Sequence, residues 1–443
     1  MRQNNSLEEY WLPFTANRDF KREPRLVARA EGVWLWNQFG EAVIDGASGL
    51  FCSPAGHCHP KIVEAVHEQM KSNTYTAPFG LAHDGAFALA AEVAKLTPEG
   101  IDRVFFVNSG SEAVDTALKI VMAYHHATGQ TQRIRMVSRE RAYHGVNIGG
   151  TSLSGMVRNR AQFPIMMPHV VHLRHTFTGE ELNRPGQPEH GADLAEDLQR
   201  FCDMHGGETI AACFVEPVAG STGVLVPPKG YLERLRAICD AHGILLVFDE
   251  VITGFGRMGY NFGAQTFGVT PDLMTMAKAL TNGSVPMGAV AVRDDIHDAV
   301  VDGKPEGAIE IFHGYTYSAH PAATAAGLAT MAIYREEALF DRSFALHDHF
   351  RDAIHGLADH PLVYDVRSIG LIAGVELHHD GQPNRRGGRV QSRLFWNGAH
   401  VKFTGDTGIV APPFVAEPAH VDRVVEAMRR TLDEDLAEHP LPA

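Results

Sequence analysis

Two residues stand where a sequence of this kind could do chemistry. The apolar run 244-ILLVF-248 ends on Asp249, and the run 273-LMTMA-277 ends on Lys278. A carboxylate at the mouth of a buried strand is desolvated and needs a cationic partner. A lysine in the same setting can simply extend its stem along apolar surface. It can also be a Schiff-base former, because desolvation lowers its pKa and frees the amine.

Other apolar runs end on equally suggestive residues. After 103-RVFFV-107 comes Asn108-Ser109-Gly110-Ser111-Glu112, followed by a helical pattern. Small residues at a helix N-terminus leave free N–H groups that suit a phosphate. Taken alone, Ser109-x-x-Glu112 is more simply a capping box. After 134-IRMV-137 comes Tyr143-His144-Gly145, where an aromatic could stack on a flat ring or merely cover the sheet edge. After 211-AACFV-215 comes Glu216, which could equally be an acid facing solvent.

In an open parallel sheet, ligands bind beyond the carboxyl ends of the strands. Read together, a phosphate cradle, a stacking aromatic, a buried carboxylate and a strand-end lysine describe a pyridoxal phosphate site. Gly110 and Ser111 would hold the phosphate, and Tyr143 would cover one ring face. Asp249 would keep the pyridine nitrogen protonated, and Lys278 would bind the aldehyde and move protons.

Two other patterns are decoys. Gly254-Phe-Gly256-Arg-Met-Gly259 matches the dinucleotide fingerprint formally, but Asp249 to Thr253 separate it from the strand and no helical period follows. These glycines read as backbone of a close-packed loop. His57-Cys58-His59 offers three adjacent donors with no second cluster at zinc spacing, so no metal is expected.

The elements that must position these residues follow from hydrophobic periodicity. Strands are expected at 103–107, 134–137, 211–215, 244–248, 273–277 and 288–292, with helical patterns between several of them. Runs apolar on both faces and alternating with helices imply a largely parallel sheet in an α/β domain. Residues 25–51 read as a small antiparallel unit. At the other end, 363–377 and 399–403 read as strands, and a helix starts near Glu417 with Pro418 in its first turn. A large central domain (59–326) and a smaller α+β domain drawn from 1–58 and 327–443 are expected.

Composition bounds the function. The chain has 443 residues, 44% apolar and 21% charged, with a net charge of −14. That charge argues against nucleic acid as a partner. The one small basic cluster, 385-RRGGR-389, is expected in a loop. No stretch approaches a membrane span, and MRQNNSLEEYWLPF lacks the basic-then-apolar pattern of a signal peptide. Five scattered cysteines fit a reducing cytoplasm.

At 249-DEVITGFGRMG-259, with Lys278 placed 29 residues after Asp249, the chain resembles the class III pyridoxal-phosphate aminotransferases. The resemblance extends over 108-NSGSEA-113, 143-YHG-145, 216-EP-217, 271-PD-272, 315-YTYSAHP-321 and 367-RSIGL-371. The segment 11-WLPFTANRDF-20 is similar to the ω-amino acid:pyruvate branch, especially β-alanine:pyruvate aminotransferases.

The resemblance implies fold type I, the aspartate-aminotransferase architecture with a large, mainly parallel seven-stranded sheet. It implies Lys278 as the cofactor-linked lysine and Asp249 as the pyridinium partner, with Val251 opposite Tyr143 on the ring. Ser109, Gly110 and Ser111 would form the phosphate site, and Thr316 would arrive from a second subunit, which makes a homodimer (or a tetramer built from it) the active unit. His144 and Glu216 would lie beside the ring. Phe14, Phe51, Phe79 and Tyr143 would line the substrate pocket for an amine donor and pyruvate.

Two departures bear on substrate. The segment 216-EPVAGSTG-223 has Ala219 and Ser221 where the ornithine and γ-aminobutyrate branches carry glutamine and glutamate. The pyruvate branch also carries a carboxylate-clamping arginine in a pattern like R-x-x-G-D, and this chain has Lys402-Phe-Thr-Gly405-Asp406. Lysine cannot make the planar bidentate pair.

Overall fold

The computed structural model describes residues 6–441, so the first five residues of the stretch assessed for a signal peptide lie outside it. Its centre is a seven-stranded sheet. The strands run in the order Arg103–Val107, Gly288–Val292, Leu273–Met276, Leu245–Asp249, Ile210–Val215, Arg135–Arg139, Val170–Leu173. Gly288–Val292 is antiparallel to both of its neighbours, and the remaining pairs are parallel. Six strands therefore point the same way and end on one edge.

Alternation along the strands covers the sheet on both faces. Leu245 and Val247 belong to one apolar cluster with Val114, Ala117 and Val121 of the helix Gly110–Ala127. Leu246 and Phe248 belong to the other, with Leu235 and Ile238 of the helix Tyr231–His242. Side chains of period two meet helices of period 3.6 on each side, which is why the central strands read as continuous apolar runs. Truncating Phe248, fully buried between layers, would cost about 3–5 kcal/mol.

Three expectations need correction. The edge strand Val170–Leu173 was not anticipated; it is short and only half-buried, so it carries little apolar signal. The segment 399–403 is not one strand. Ala399–His400 pairs with Ala42–Asp45, while Lys402–Thr404 pairs with Thr407–Val410 in a different sheet. The basic cluster 385–389 does not lie in a loop: it opens the helix Arg385–Trp396. There Arg386 reaches Asp435 at 3.0 Å, and Arg389 reaches Asp435 at 3.1 Å and Asp380 at 2.5 Å, so acids absorb its charge.

Two four-stranded sheets are built from the chain ends. One joins Val27–Glu31, Trp34–Asn37 and Ala42–Asp45 to Ala399–His400. The other joins the hairpin Val363–Ile369 and Ile372–Leu377 to Thr407–Val410 and Lys402–Thr404. The last helix, Pro418–Glu438, starts with Pro418 in its first turn and a capping box between Glu417 and His420. The helix Pro321–Glu336 runs through the junction expected at 326/327.

Candidate active site

The strand ends converge as their order requires. Asp249 closes its strand, and Lys278 lies two residues beyond Met276. Glu216 directly follows Val215, while Tyr143 and His144 lie beyond Arg139.

Asp249 is 6% exposed, and one of its oxygens lies 2.8 Å from His144 Nδ1. The Val251 N–H donates to the other at 3.2 Å. His144 is itself fixed, since its backbone N–H donates to Ser154 Oγ at 3.1 Å. With the ring proton on Nδ1, His144 donates to the carboxylate and orients it. The buried Nε2 of His144 has no partner among the described residues.

Glu216 accepts N–H groups from Tyr143 at 2.9 Å and Gly220 at 3.2 Å. Burial pushes its carboxyl up to about 7, with the Asp249 charge adding to the effect and His144 opposing it. Burial likewise raises the Tyr143 phenol, helped by Asp249 and Glu216.

Lys278 has its backbone in the left-handed region, φ 46°, which a side chain adopts only under constraint. The constraints are visible. The Tyr334 hydroxyl donates to the Ala279 carbonyl at 2.6 Å. Asn282, at the end of the same turn, accepts from Ala55 N–H at 2.9 Å and donates to the Gly56 carbonyl at 2.8 Å. Burial holds the Lys278 amine below its ordinary pKa, although Cys52, Asp249 and Glu216 pull the other way. Its Nζ lies 5.8 Å from the Phe51 ring centroid.

The two readings of Asn108–Glu112 prove compatible. Ser109 caps the helix, its Oγ accepting from Glu112 N–H at 3.2 Å. The Glu112 carboxylate reaches past it to Asn108, at 2.7 Å to the backbone N–H and 2.9 Å to the side-chain amide. Ser109 Oγ is thus engaged in the cap, and the first-turn N–H groups of Gly110 and Ser111 remain as donors. Ser111 Oγ accepts from Val146 N–H at 3.1 Å, which leaves its own proton to donate. A Cβ at Gly110 would lie 3.1 Å from both Val251 methyls, so any larger residue there would press Val251 aside by a few tenths of an ångström.

The other expected residues divide. Phe51 is buried beside Lys278. Lys402 is half-buried and directly opposite Ile409 in the sheet, so both point to one face. Ile409 packs in the cluster that contains Phe51, Val224 and Ile252. Burial lowers the Lys402 pKa, and no acid is in ion-pair contact with it among the described residues. Phe14 and Phe79 are 74% and 65% exposed and are not brought to Lys278 within this chain. Thr316 is also exposed, its carbonyl accepting from the Tyr75 hydroxyl at 3.0 Å.

Several residues that shape the site were not anticipated. Glu250, next to Asp249, is buried and caps the helix Gly263–Phe267 through the Gly263 and Ala264 N–H groups, at 2.8 and 2.7 Å. Burial pushes it up to about 7. Arg257 lies inside the glycine segment, which is indeed packed closely: a Cβ at Gly256 (φ 90°) would come within 2.3 Å of the Phe340 ring. Asp45 ends its strand as Asp249 does, and the same reasoning about strand-end acids reaches it. Of the His-Cys-His triplet, His57 faces Asp45 and His59 faces Glu337.

A mostly parallel seven-stranded sheet with a lysine and a carboxylate at its strand ends is the fold type I architecture of pyridoxal-phosphate enzymes. The family model for class-III aminotransferases matches residues 15–432, and the chain belongs to that family. It is 52% identical over 431 residues to an omega-aminotransferase of Caulobacter vibrioides, covering 97% of this chain and 98% of that one. It is 45% identical to the beta-alanine--pyruvate aminotransferase of Pseudomonas aeruginosa, covering 97% and 96%. A solved omega transaminase from Pseudomonas jessenii in complex with PMP superposes with a TM-score of 0.92 at 32% identity, covering 98% of this chain and all of that one.

Proposed function

We propose that this aminotransferase binds pyridoxal phosphate and moves an amino group from an ω-amino acid or a primary amine to pyruvate. The donor leaves as an aldehyde or ketone and the acceptor as alanine, in two half-reactions at one site. The observation that carries the reading is the pairing of a His144-oriented Asp249 with a buried Lys278 of lowered pKa. The relatives named for β-alanine and pyruvate, and the one solved with PMP, support the choice of cofactor and acceptor.

The residues fit the group. The glycine cradle against Val251 and the free first-turn donors suit a phosphate, and the unpartnered His144 Nε2 marks a buried polar environment. When bound, the cofactor supplies an electron sink for the carbanion formed at the donor carbon.

In this reading the chain's own groups divide the remaining tasks. Gly110 and Ser111 bind the phosphate, and Ser109 sets their geometry by capping the helix. Asp249 holds a proton on the ring nitrogen, with His144 fixing the carboxylate. Tyr143 and Val251 cover opposite ring faces, and Glu216 lies on the hydroxyl side. Lys278, whose charged form burial disfavours, is the nucleophile and then carries the proton.

Phe51 and Lys402 form the donor pocket, joined by Phe14 and Phe79. Thr316 completes the phosphate site from a second copy, so a homodimer, alone or within a tetramer, is the active unit. Residues 59–326 form the cofactor domain, and both chain ends form the smaller one. A cytoplasmic location fits the five cysteines, all of them free. A donor panel with pyruvate, read as alanine formed, tests the reading. Cofactor-dependent release of carbon dioxide without alanine would favour a decarboxylase on the same fold, and amino-group migration within the donor would favour an aminomutase.

A further inference from the structure

Phe51 is held at the site by a backbone that would not adopt its shape unaided. Ser48, Gly49 and Phe51 all have positive φ, 47°, 68° and 63°. For serine and phenylalanine that region is strained and persists only where the surroundings over-determine it. The turn closes through a hydrogen bond from Phe51 N–H to the Ala47 carbonyl at 2.8 Å.

Two anchors hold it. The first is Asp45, whose side chain is fully buried. One of its oxygens accepts the Ala47 N–H at 3.0 Å, the other accepts the Gly49 N–H at 2.5 Å, and His57 Nε2 lies 2.7 Å from that second oxygen. The second anchor is Arg257, which donates to Ser48 Oγ at 3.3 Å and to the Pro412 carbonyl at 2.6 Å. Ser48 Oγ in turn donates to the Ala411 carbonyl at 2.7 Å. Asp45 touches neither Lys278 nor the pocket by any hydrogen bond. Its carboxylate instead collects two consecutive-turn N–H groups that no helix or strand satisfies, as a buried backbone requires.

We infer that Asp45, supported by His57, is a specificity-determining positioning residue that pins the strained Ala47–Cys52 turn and so sets the place of the Phe51 ring over Lys278. The inference rests on the amine-transaminase reading above. A carboxylate can accept both N–H groups and the His57 proton at once, whereas an amide at this position has one acceptor oxygen and places an NH2 against a donor. Loosening the turn moves the Phe51 wall and changes which donors fit, while the groups around Asp249 stay in place.

The test compares the holoenzyme with Asp45→Asn, Phe51→Ala and the double variant. Initial rates are taken with 1-phenylethylamine and with isopropylamine as donors and pyruvate as acceptor. The expected result is a change of at least fivefold in the ratio of kcat/KM between the two donors in Asp45→Asn. It should run in the same direction as the change in Phe51→Ala, arise mainly in KM, and add nothing further in the double variant.

A second readout does not depend on turnover. Hydrogen exchange of the peptide spanning residues 46–52 should rise in Asp45→Asn, while peptides around Asp249 and Lys278 keep their protection. If Asp45→Asn does not fold, His57→Gln takes its place with the same expected direction. An unchanged donor ratio in a folded variant, or effects of Asp45→Asn and Phe51→Ala that simply multiply, would overturn the inference. A wild-type enzyme that forms alanine from neither of these donors nor from β-alanine would instead sink the proposed function itself.

Discussion

The resemblance to the pyruvate branch puts Lys402 where an arginine is expected, and the surroundings of Lys402 say what that exchange should do. The side chain is half-buried on the face shared with Ile409 and the Phe51 cluster, and no acid of this chain is in ion-pair contact with it among the described residues. A donor carboxylate would meet an unpaired ammonium there. One charge-assisted hydrogen bond is worth about 1.5–3 kcal/mol net. Lysine supplies it as a point contact, whereas arginine would supply two parallel bonds with fixed geometry. A gain of about 1.4 kcal/mol from the second bond corresponds to a tenfold change. Lys402→Arg is therefore expected to raise kcat/KM for β-alanine about tenfold relative to a donor without a carboxylate, and Lys402→Met to lower it by a similar or larger factor. Because burial lowers the Lys402 pKa, the preference for acid donors should fall as pH rises through that pKa, and Lys402→Arg should flatten the fall. The assay is initial-rate alanine formation with each donor across pH. Donor ratios that are identical in all three proteins would show that the acid is held elsewhere in the pocket.

Other outcomes follow from the same geometry. Asp249→Asn leaves the ring nitrogen without a charged partner; a lost charge-assisted contact of about 1.5–3 kcal/mol, if expressed fully in the barrier, lowers single-turnover rates with a saturating donor about 10- to 10²-fold; a loss under threefold would remove Asp249 from the ring nitrogen. Glu216 has a folded pKa of about 7, above its ordinary 4.5. The folded, cofactor-free protein therefore holds this proton where the unfolded chain has lost it. Stability from this group is full below about 4.5 and is lost as pH rises through about 7, worth about 3 kcal/mol. Urea midpoints of cofactor-free protein should show this decline; Glu250, also pushed up to about 7, adds a similar share, so Glu216→Gln should remove roughly half of it. If Thr316 completes the phosphate site from a second copy, diluting the protein to monomer should release cofactor in step with dissociation, as followed by light scattering and visible absorbance; a monomer that retains stoichiometric cofactor would contradict this.

The strand ends were easier to read in the sequence than the elements at the sheet's edges and in the chain ends. Asp249, Lys278 and Glu216 were legible because their strands are buried on both faces, so each apolar run announces its own end. The Ser109–Ser111 turn follows an edge strand buried only at Phe106 and Val107 and was legible from its small residues before a helical pattern. The edge strand Val170–Leu173 lacks that signal, being half-exposed. The segment 399–403 looked like one strand because its pattern is continuous; that Val401 separates two sheets is decided by their partners, Ala42–Asp45 and Thr407–Val410, far away in sequence. The cluster 385–389 looked like a basic loop because its counter-charges, Asp380 and Asp435, are visible only once the last helix is packed. Asp45 carries the same strand-end signal as Asp249, but what it does there was not legible. Its importance lies in the backbone it holds, and positive φ at Ser48 and Phe51 leaves no trace in residue type.

The central claim is that Lys278 is the residue that carries the cofactor, and one chemical measurement addresses it directly. The protein is reconstituted with pyridoxal phosphate, reduced with borohydride, digested and mapped by mass spectrometry. The account expects a single phosphopyridoxyl modification, on the peptide containing Lys278, and none in Lys278→Ala, which should also lose protein-linked visible absorbance and turnover. Stoichiometric labelling of any other lysine, Lys402 included, would contradict the placement of the cofactor at the ends of the strands that deliver Asp249 and Lys278.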